Sequence, residues 1–573
     1  MLLITSIRII QKEYTMPLLR SLMLGSLLAI TSTLPATANA ADLFSQDDEI
    51  TRQDVLRGSI TPERAWWDLS HYHLDIRVEP EKKTIAGTNT VTYRVLSDAS
   101  RLQIELQAPM QLTKAVQNGQ SLNIIKDGYT YFIEPDLPQP IGSEQSVILH
   151  FEGNPTEAKR APWDGGITWT KDDNGIDFIA SANQGIGASI WWPNKDHAYD
   201  EPDLGALISV EVPEHLVNVS NGRLEKTEHN KERKTKTYHW RVINPINNYG
   251  VNINIGDYVH FGETYAGESG VLDMDYYVLS YNLDKAKKQF KDAQRTIEAF
   301  EYWFGPYPFY QDSFKLVEAP YLGMEHQSSV TYGNGYQNGY LGRDRSRTGH
   351  GMLFDFIIIH ETGHEWFANN ITNVDIADMW IHESFTNYSE SLFLEYHYDK
   401  DKAFAYVRGS RANVQNKKPI VGQYNVHREG SSDMYDKGSN MLHTIRQIID
   451  DDKKWRDILR GLNKTFYHQT TTGAAVEAYM IEQSGKSLEK VFDQYLRDIR
   501  IPALEYFVKG DSLMVRWANT IDGFNMPMRI YVDNQPMWIT PKTSWSEVTL
   551  PVANATIKLD PNFYITHLDI MVP

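Results

Sequence analysis

A chain of 573 residues exceeds what one hydrophobic core usually organises, and at roughly 150 residues per domain it suggests three or four. The formal net charge of -18 lacks the basic footprint of a nucleic-acid binder. The absence of cysteine excludes disulfides, thiol catalysis and thiolate-held zinc, so any metal must take His, Asp or Glu.

In chain order, residues 1–40 read as a signal peptide. Arg20 precedes an apolar stretch from Leu22 to Ile30, and Ala38-Asn39-Ala40 supplies small residues before Ala41. Met16, followed by Pro17-Leu18-Leu19-Arg20, is a more ordinary initiator than Met1. The apolar stretch is too short to span a bilayer, and no later segment reaches about 18 uninterrupted apolar residues. No cysteine follows it to carry a lipid. The expectation is a bacterial protein exported to the periplasm or the medium, with no stable membrane anchor.

Residues 41–256 read as an all-β domain. HYHLDIRV, TNTVTYRV, RLQIEL, ALISVEV and YHWRVI are strand-like, several of them alternating apolar and polar residues, and turn signals such as Glu152-Gly153-Asn154-Pro155 separate such runs. Residues 257–502 turn mainly helical. Helices are predicted at Leu283 to Trp303, Met352 to Asn369, Met379 to Tyr398, Ser439 to Ile449 and Lys486 to Arg497. GNGYQNG at 333–339 has the wrong spacing for a phosphate loop and is expected to be a flexible connection. Residues 503–573 return to short strands (LEYFV, LMVRW, MRIYV), which predict a small carboxy-terminal β domain.

The chemistry concentrates in FIIIHETGHEWFANN. His360 and His364 are four apart, so a helix stacks them on one face where both imidazoles can meet one ion. Glu361 lies beside the first of them, within reach of a water at that ion. A catalytic zinc needs a third protein ligand and an open position. Glu383, in DMWIHESFTNYSESLF, stands 19 positions after His364 and is the candidate. Glu390 follows about two helical turns later. It is either the partner that orients a ligating histidine or a solvated helix carboxylate.

HETGHEWFANNIT followed by WIHESFTNYSE resembles the gluzincin aminopeptidases, the family of aminopeptidase N and leukotriene hydrolase, whose pattern is H-E-x-x-H, 18 residues, then E. Some thermolysin-like endopeptidases share that spacing, so three further segments carry the distinction. Gly323-Met324-Glu325-His326 is similar to the family's G-x-M-E-N motif, which implies that Glu325 binds the free α-amine of a substrate. His326 replaces the family's Asn and puts the usual backbone contact there in doubt. Tyr435-Asp436-Lys437-Gly438 resembles the Y-E-K-G segment, implying that Tyr435 donates to an oxyanion. ANQGIGASIWWPNKDHAYDEPD places Gln184 where the family has a Gln or Glu lining the amine pocket.

The resemblance runs from about Trp66 to Pro502. It implies an α+β multidomain architecture: an amino-terminal β saddle, a thermolysin-like, mainly helical catalytic domain, and a further β domain. It also implies one Zn2+ per chain, held by His360, His364 and Glu383, with Glu361 as general base. The substrates would be peptides with a free amino terminus, lying over Gly323, Met324 and Glu325. No counterpart of the large carboxy-terminal helical domain of many relatives is expected within these residues, which implies a more open site or closure by a partner subunit. Three competing readings are a thermolysin-like endopeptidase, an epoxide hydrolase and a non-catalytic peptide binder. Gly430 stands where leukotriene hydrolase has an additional Tyr, which disfavours the second, and the retained Glu361 and Tyr435 disfavour the third.

Overall fold

The computed structural model describes residues 49–569, so the expected signal peptide lies outside the described residues. The alternating segments of the first half form an eight-stranded sheet. Its spatial order is Arg223–Asn230, Thr235–Val242, Ala206–Pro213, Trp67–Glu79, Thr84–Val95, Glu144–Gly153, Gln111–Gln117 and Gln120–Ser121. All neighbours are antiparallel except Trp67–Glu79 and Ala206–Pro213, which run parallel. Along Trp67–Glu79, Tyr72, Leu74, Ile76 and Val78 are buried at every second position, as the two-residue period requires. A four-stranded sheet, with Asp177–Ala182 and Asn254–Gly256 at its centre, leads the chain toward the segment that carries Gln184.

From Tyr258 a five-stranded mixed sheet begins, ordered Tyr258–Gly267, Gly270–Leu279, Phe314–Glu318, Val330–Tyr332 and Gly323–Met324. Its last strand is short and antiparallel to its neighbour, and it delivers Glu325 from the sheet edge. Four helices matter for the site: α1 (Lys291–Phe304), α2 (Phe356–Gly363), α3 (Trp380–His397) and α4 (Asp436–Ile449). The section from Ala503 onward forms a four-stranded and a three-stranded sheet. Leu504, Val515 and Ile530 of those sheets share one apolar core with Ile445 and Trp455 of the helical region. Among the described residues no helix is long and apolar enough to cross a membrane.

Three sequence expectations change in detail. The helix expected from Leu283 to Trp303 is interrupted at Phe290, between Leu283–Gln289 and α1. The helix expected from Met352 to Asn369 holds regular form only across α2. Beyond it Phe367 (φ -126, ψ 81) and Ala368 (φ 155, ψ -53) leave helical space. The break has a use, because a helical carbonyl points along the axis and away from earlier residues. Leaving the helix turns the Phe367 carbonyl back to His364, 3.0 Å from Nδ1.

The third change concerns 333–339, which is anchored rather than loose. Asn334 is fully buried and donates to Asp355 at 2.8 Å, and Gly339 takes part in a β-bridge with Asp355. Asp355 is the N-cap of α2, accepting from the amides of Ile357 (3.2 Å) and Ile358 (3.5 Å). Tyr332 and Gln289 also donate to it, at 2.8 and 2.9 Å. Burial pushes its carboxyl up to about 6 even with those donors present.

Candidate metal and peptide site

α2 enters the core with Phe356, Ile357, Ile358 and Ile359 all buried, and α3 packs beside it. Gly363 makes the approach possible: a Cβ there would stand 2.8 Å from Ser389 Oγ and 3.1 Å from Thr386 Cγ2 of α3. Across this seam His360, His364 and Glu383 converge, with one ligand-type atom from each within 4.8 Å of the others. Glu383 Oε2 lies 3.4 Å from His364 Nε2 and 3.7 Å from His360 Nε2.

The outer nitrogens are already engaged. His360 Nδ1 is 2.8 Å from Glu390, which also accepts from Asn387 (2.9 Å) and Tyr406 (2.6 Å). His364 Nδ1 faces the Phe367 carbonyl and Thr386 Oγ1, the latter at 3.1 Å. Each imidazole is thus held by its far nitrogen, with Nε2 turned inward. Glu390 is 1% exposed, which settles its two readings in favour of the orienting partner.

The donor set fits a divalent cation. Glu383 Oε2 is buried and has no hydrogen-bond partner among the described residues, an arrangement that costs free energy unless a positive charge sits beside it. Burial alone would raise the Glu383 carboxyl, but His364 and His360 hold it well below the carboxylate range. Burial alone would likewise lower His360, yet Glu383 and Glu390 lift it to about 10, and Glu383 lifts His364 to about 8. The cluster thus draws positive charge, which protons on the imidazoles or a bound cation can supply, and His, His and Glu with an open place suit zinc.

A second group, Glu325, Glu361 and His364, gathers on the neighbouring side, with one ligand-type atom from each again within 4.8 Å of the others. Burial pushes Glu361 up to about 7. Gly323 lets this carboxylate lie against the sheet edge, since a Cβ there would meet Ile357 Cγ2 at 2.6 Å and Glu361 Oε1 at 3.0 Å. Glu325 accepts from Gln184 (2.5 Å) and Tyr249 (3.2 Å), while Asn369 donates to its backbone carbonyl at 2.9 Å. Gln184 also reaches Glu383 at 3.4 Å. Tyr435 stacks on His360 with ring centres 6.0 Å apart, and burial together with Glu383 keeps its hydroxyl protonated far above neutral pH.

His360, His364, Glu383, Glu361, Tyr435, Glu325, Gln184, Gly323 and Met324 line one open cavity of about 670 Å³. Every site residue expected from the sequence therefore gathers there. His326 does not line it. Its imidazole is buried with neither nitrogen hydrogen-bonded among the described residues, and burial pushes it down to about 3. Sequence reasoning missed Tyr249, Tyr406 and Arg345. Tyr249 lies in a single 3-10 turn, Asn248–Gly250, and Tyr406 in an ordinary helix, so neither carries a local signal. Arg345 sits in the anchored connection after 333–339.

Residues 288–495 match the family model described as the peptidase family M1 domain. Human endoplasmic reticulum aminopeptidase 1 is 23% identical over 425 residues, covering 70% of this chain and 44% of that protein. Aminopeptidase N of Lactococcus lactis subsp. lactis is 20% identical over 513 residues, covering 86% and 58%. The chain thus spans about half the length of the curated relatives it matches. The crystal structure of an M1 zinc metallopeptidase from Deinococcus radiodurans superposes with a TM-score of 0.64 at 20% identity, covering 78% of this chain and 96% of that one.

Proposed function

We propose that the chain is a zinc-dependent aminopeptidase of the M1, or gluzincin, kind that removes the first residue of peptides. One observation carries the reading. A buried carboxylate, Glu325, is held by Gln184 and Tyr249 within 4.8 Å of Glu361 and His364. A carboxylate so placed pairs with an ammonium group and fixes a peptide at one residue from its end.

His360, His364 and Glu383 would hold one Zn2+ per chain, which supplies Lewis-acid polarisation of the scissile carbonyl. Glu361, lifted to about 7, takes a proton from the attacking water and returns it to the leaving amine. Tyr435 keeps its proton and donates to the oxygen that becomes negative. Glu325 and Gln184 bind the amino terminus over Gly323 and Met324. The partners of this site are peptides with a free amino terminus and not nucleic acids. Export through residues 1–40 is part of the same proposal.

The test is a panel of aminoacyl fluorogenic amides with and without a chelator, alongside the same compounds acetylated on nitrogen. Cleavage of the free-amine compounds only, lost on chelation and restored by zinc, is expected. Equal cleavage of the acetylated compounds would instead establish an endopeptidase.

A further inference from the structure

The amine anchor lies at one side of the metal cluster, and the opposite side of the cavity carries the one Lys or Arg on its described wall, Arg345. The two are separated along α2. Arg345 belongs to the start of that helix, where its guanidinium lies 5.4 Å from the Phe356 ring and 5.4 Å from the Tyr340 ring. Glu325 belongs to its end, beside His364 and Asn369. His360 and Glu361 lie between them on the helix. A peptide whose amine sits on Glu325 and whose first carbonyl reaches the metal cluster therefore extends toward Arg345.

The reach fits a short chain. Phe356, which carries Arg345 on its face, is stacked on His360 with ring centres 5.2 Å apart. The gap from the metal ligands to the guanidinium is thus spanned by about two or three extended residues at roughly 3.3 Å each. Arg345 Nη2 donates to Asp436 at 3.0 Å, its one carboxylate partner among the described residues. A guanidinium presents five N–H donors, so one carboxylate leaves it able to take a second anion. The Arg345 side chain is 31% exposed while Asp436 is 9% exposed, so the open part of the pair is the cation.

We propose that Arg345 binds the carboxy-terminal carboxylate of short peptides, which makes unblocked tripeptides and their near neighbours in length the favoured substrates. The inference rests on the aminopeptidase reading, since that reading sets the direction of the peptide. Two charges a fixed distance apart, with the metal cluster between them, measure length as well as polarity. Long peptides lack a carboxylate at that place and gain nothing from Arg345.

The test compares Ala-Ala-Ala with its carboxy-terminal amide on the full zinc-loaded chain. The free acid is expected to show a kcat/KM higher by roughly tenfold or more, chiefly through KM. Arg345→Gln should bring the ratio close to one, and Arg345→Lys should keep part of it. Equal values in the wild type, or a preference that survives Arg345→Gln, overturns the proposal. Calorimetric binding of the same two peptides to the Glu361→Gln chain gives a readout without turnover. If the wild type cleaves neither peptide, the aminopeptidase reading has failed, and this comparison still decides Arg345: tighter binding of the acid supports it and equal binding overturns it.

Discussion

Two triads share His364, and they differ in what surrounds them. In the first, with His360 and Glu383, the outer imidazole nitrogens are tied to Glu390 and the Phe367 carbonyl, and the inward carboxylate oxygen has no hydrogen-bond partner. In the second, with Glu325 and Glu361, Glu325 already accepts from Gln184 and Tyr249, and burial pushes Glu361 up to about 7. Proximity of three ligand-type groups therefore does not make a metal site. On the proposed reading the partners one layer out decide it, by fixing imidazole direction in one triad and by readying carboxylates for protons and ammonium in the other.

The largest expected effect separates the two triads directly. Glu383→Gln should lose both bound zinc and activity. Glu361→Gln should lose roughly a hundred- to ten-thousandfold in kcat while keeping its metal. Metal analysis beside single-substrate kinetics reads both, and a Glu361→Gln chain that came out zinc-free would merge the triads into one. Next in size, Glu390→Gln should weaken zinc binding by roughly 10- to 100-fold, since it removes the charge that orients His360. Competition with a chromophoric chelator measures it, and unchanged affinity would mean that Tyr406 and Asn387 suffice to place the ring.

The smallest effect lies outside both triads. His326 and His197 are buried, and desolvation carries each from 6.5 down to about 3. The unfolded chain takes up these protons below pH 6.5 and the folded chain does not. Their contribution is thus whole above pH 6.5 and declines as the pH falls toward 3. By pH 5 each costs on the order of 1 to 2 kcal/mol. Urea midpoints at pH 7.5 and 5.0 should differ less in His326→Asn than in the wild type, and an equal difference would reassign the acid sensitivity elsewhere.

What could be read beforehand follows from locality. His360, Glu361 and His364 were legible because a helix brings i and i+4 together whatever the rest of the chain does. Glu383 was a candidate from its place 19 residues after His364, whereas Glu325, Tyr435 and Gln184 came from a resemblance, since no spacing rule alone predicts where distant segments meet. The alternating strands were legible for the same local reason as the helix. The end of α2 was not: Phe367 and Ala368 carry no breaker signal, and they leave the helix to satisfy His364. Tyr249, Tyr406 and Arg345 are invisible to any local rule, because the carboxylates they meet lie on other segments of the chain. The 333–339 connection misled by composition, since its glycines and asparagines suit a loose loop as well as one pinned to Asp355.

That pinning bears on transplantation. Asp355 ties the first turn of α2 to Tyr332, Asn334 and Gln289, three positions outside the histidine motif. A designer who grafted only the segment from Phe356 to His364 onto another scaffold would carry the ligands and leave behind the clamp that sets their pitch. The portable unit starts at least as far back as Tyr332, and it needs a foreign Gln289 to lean on.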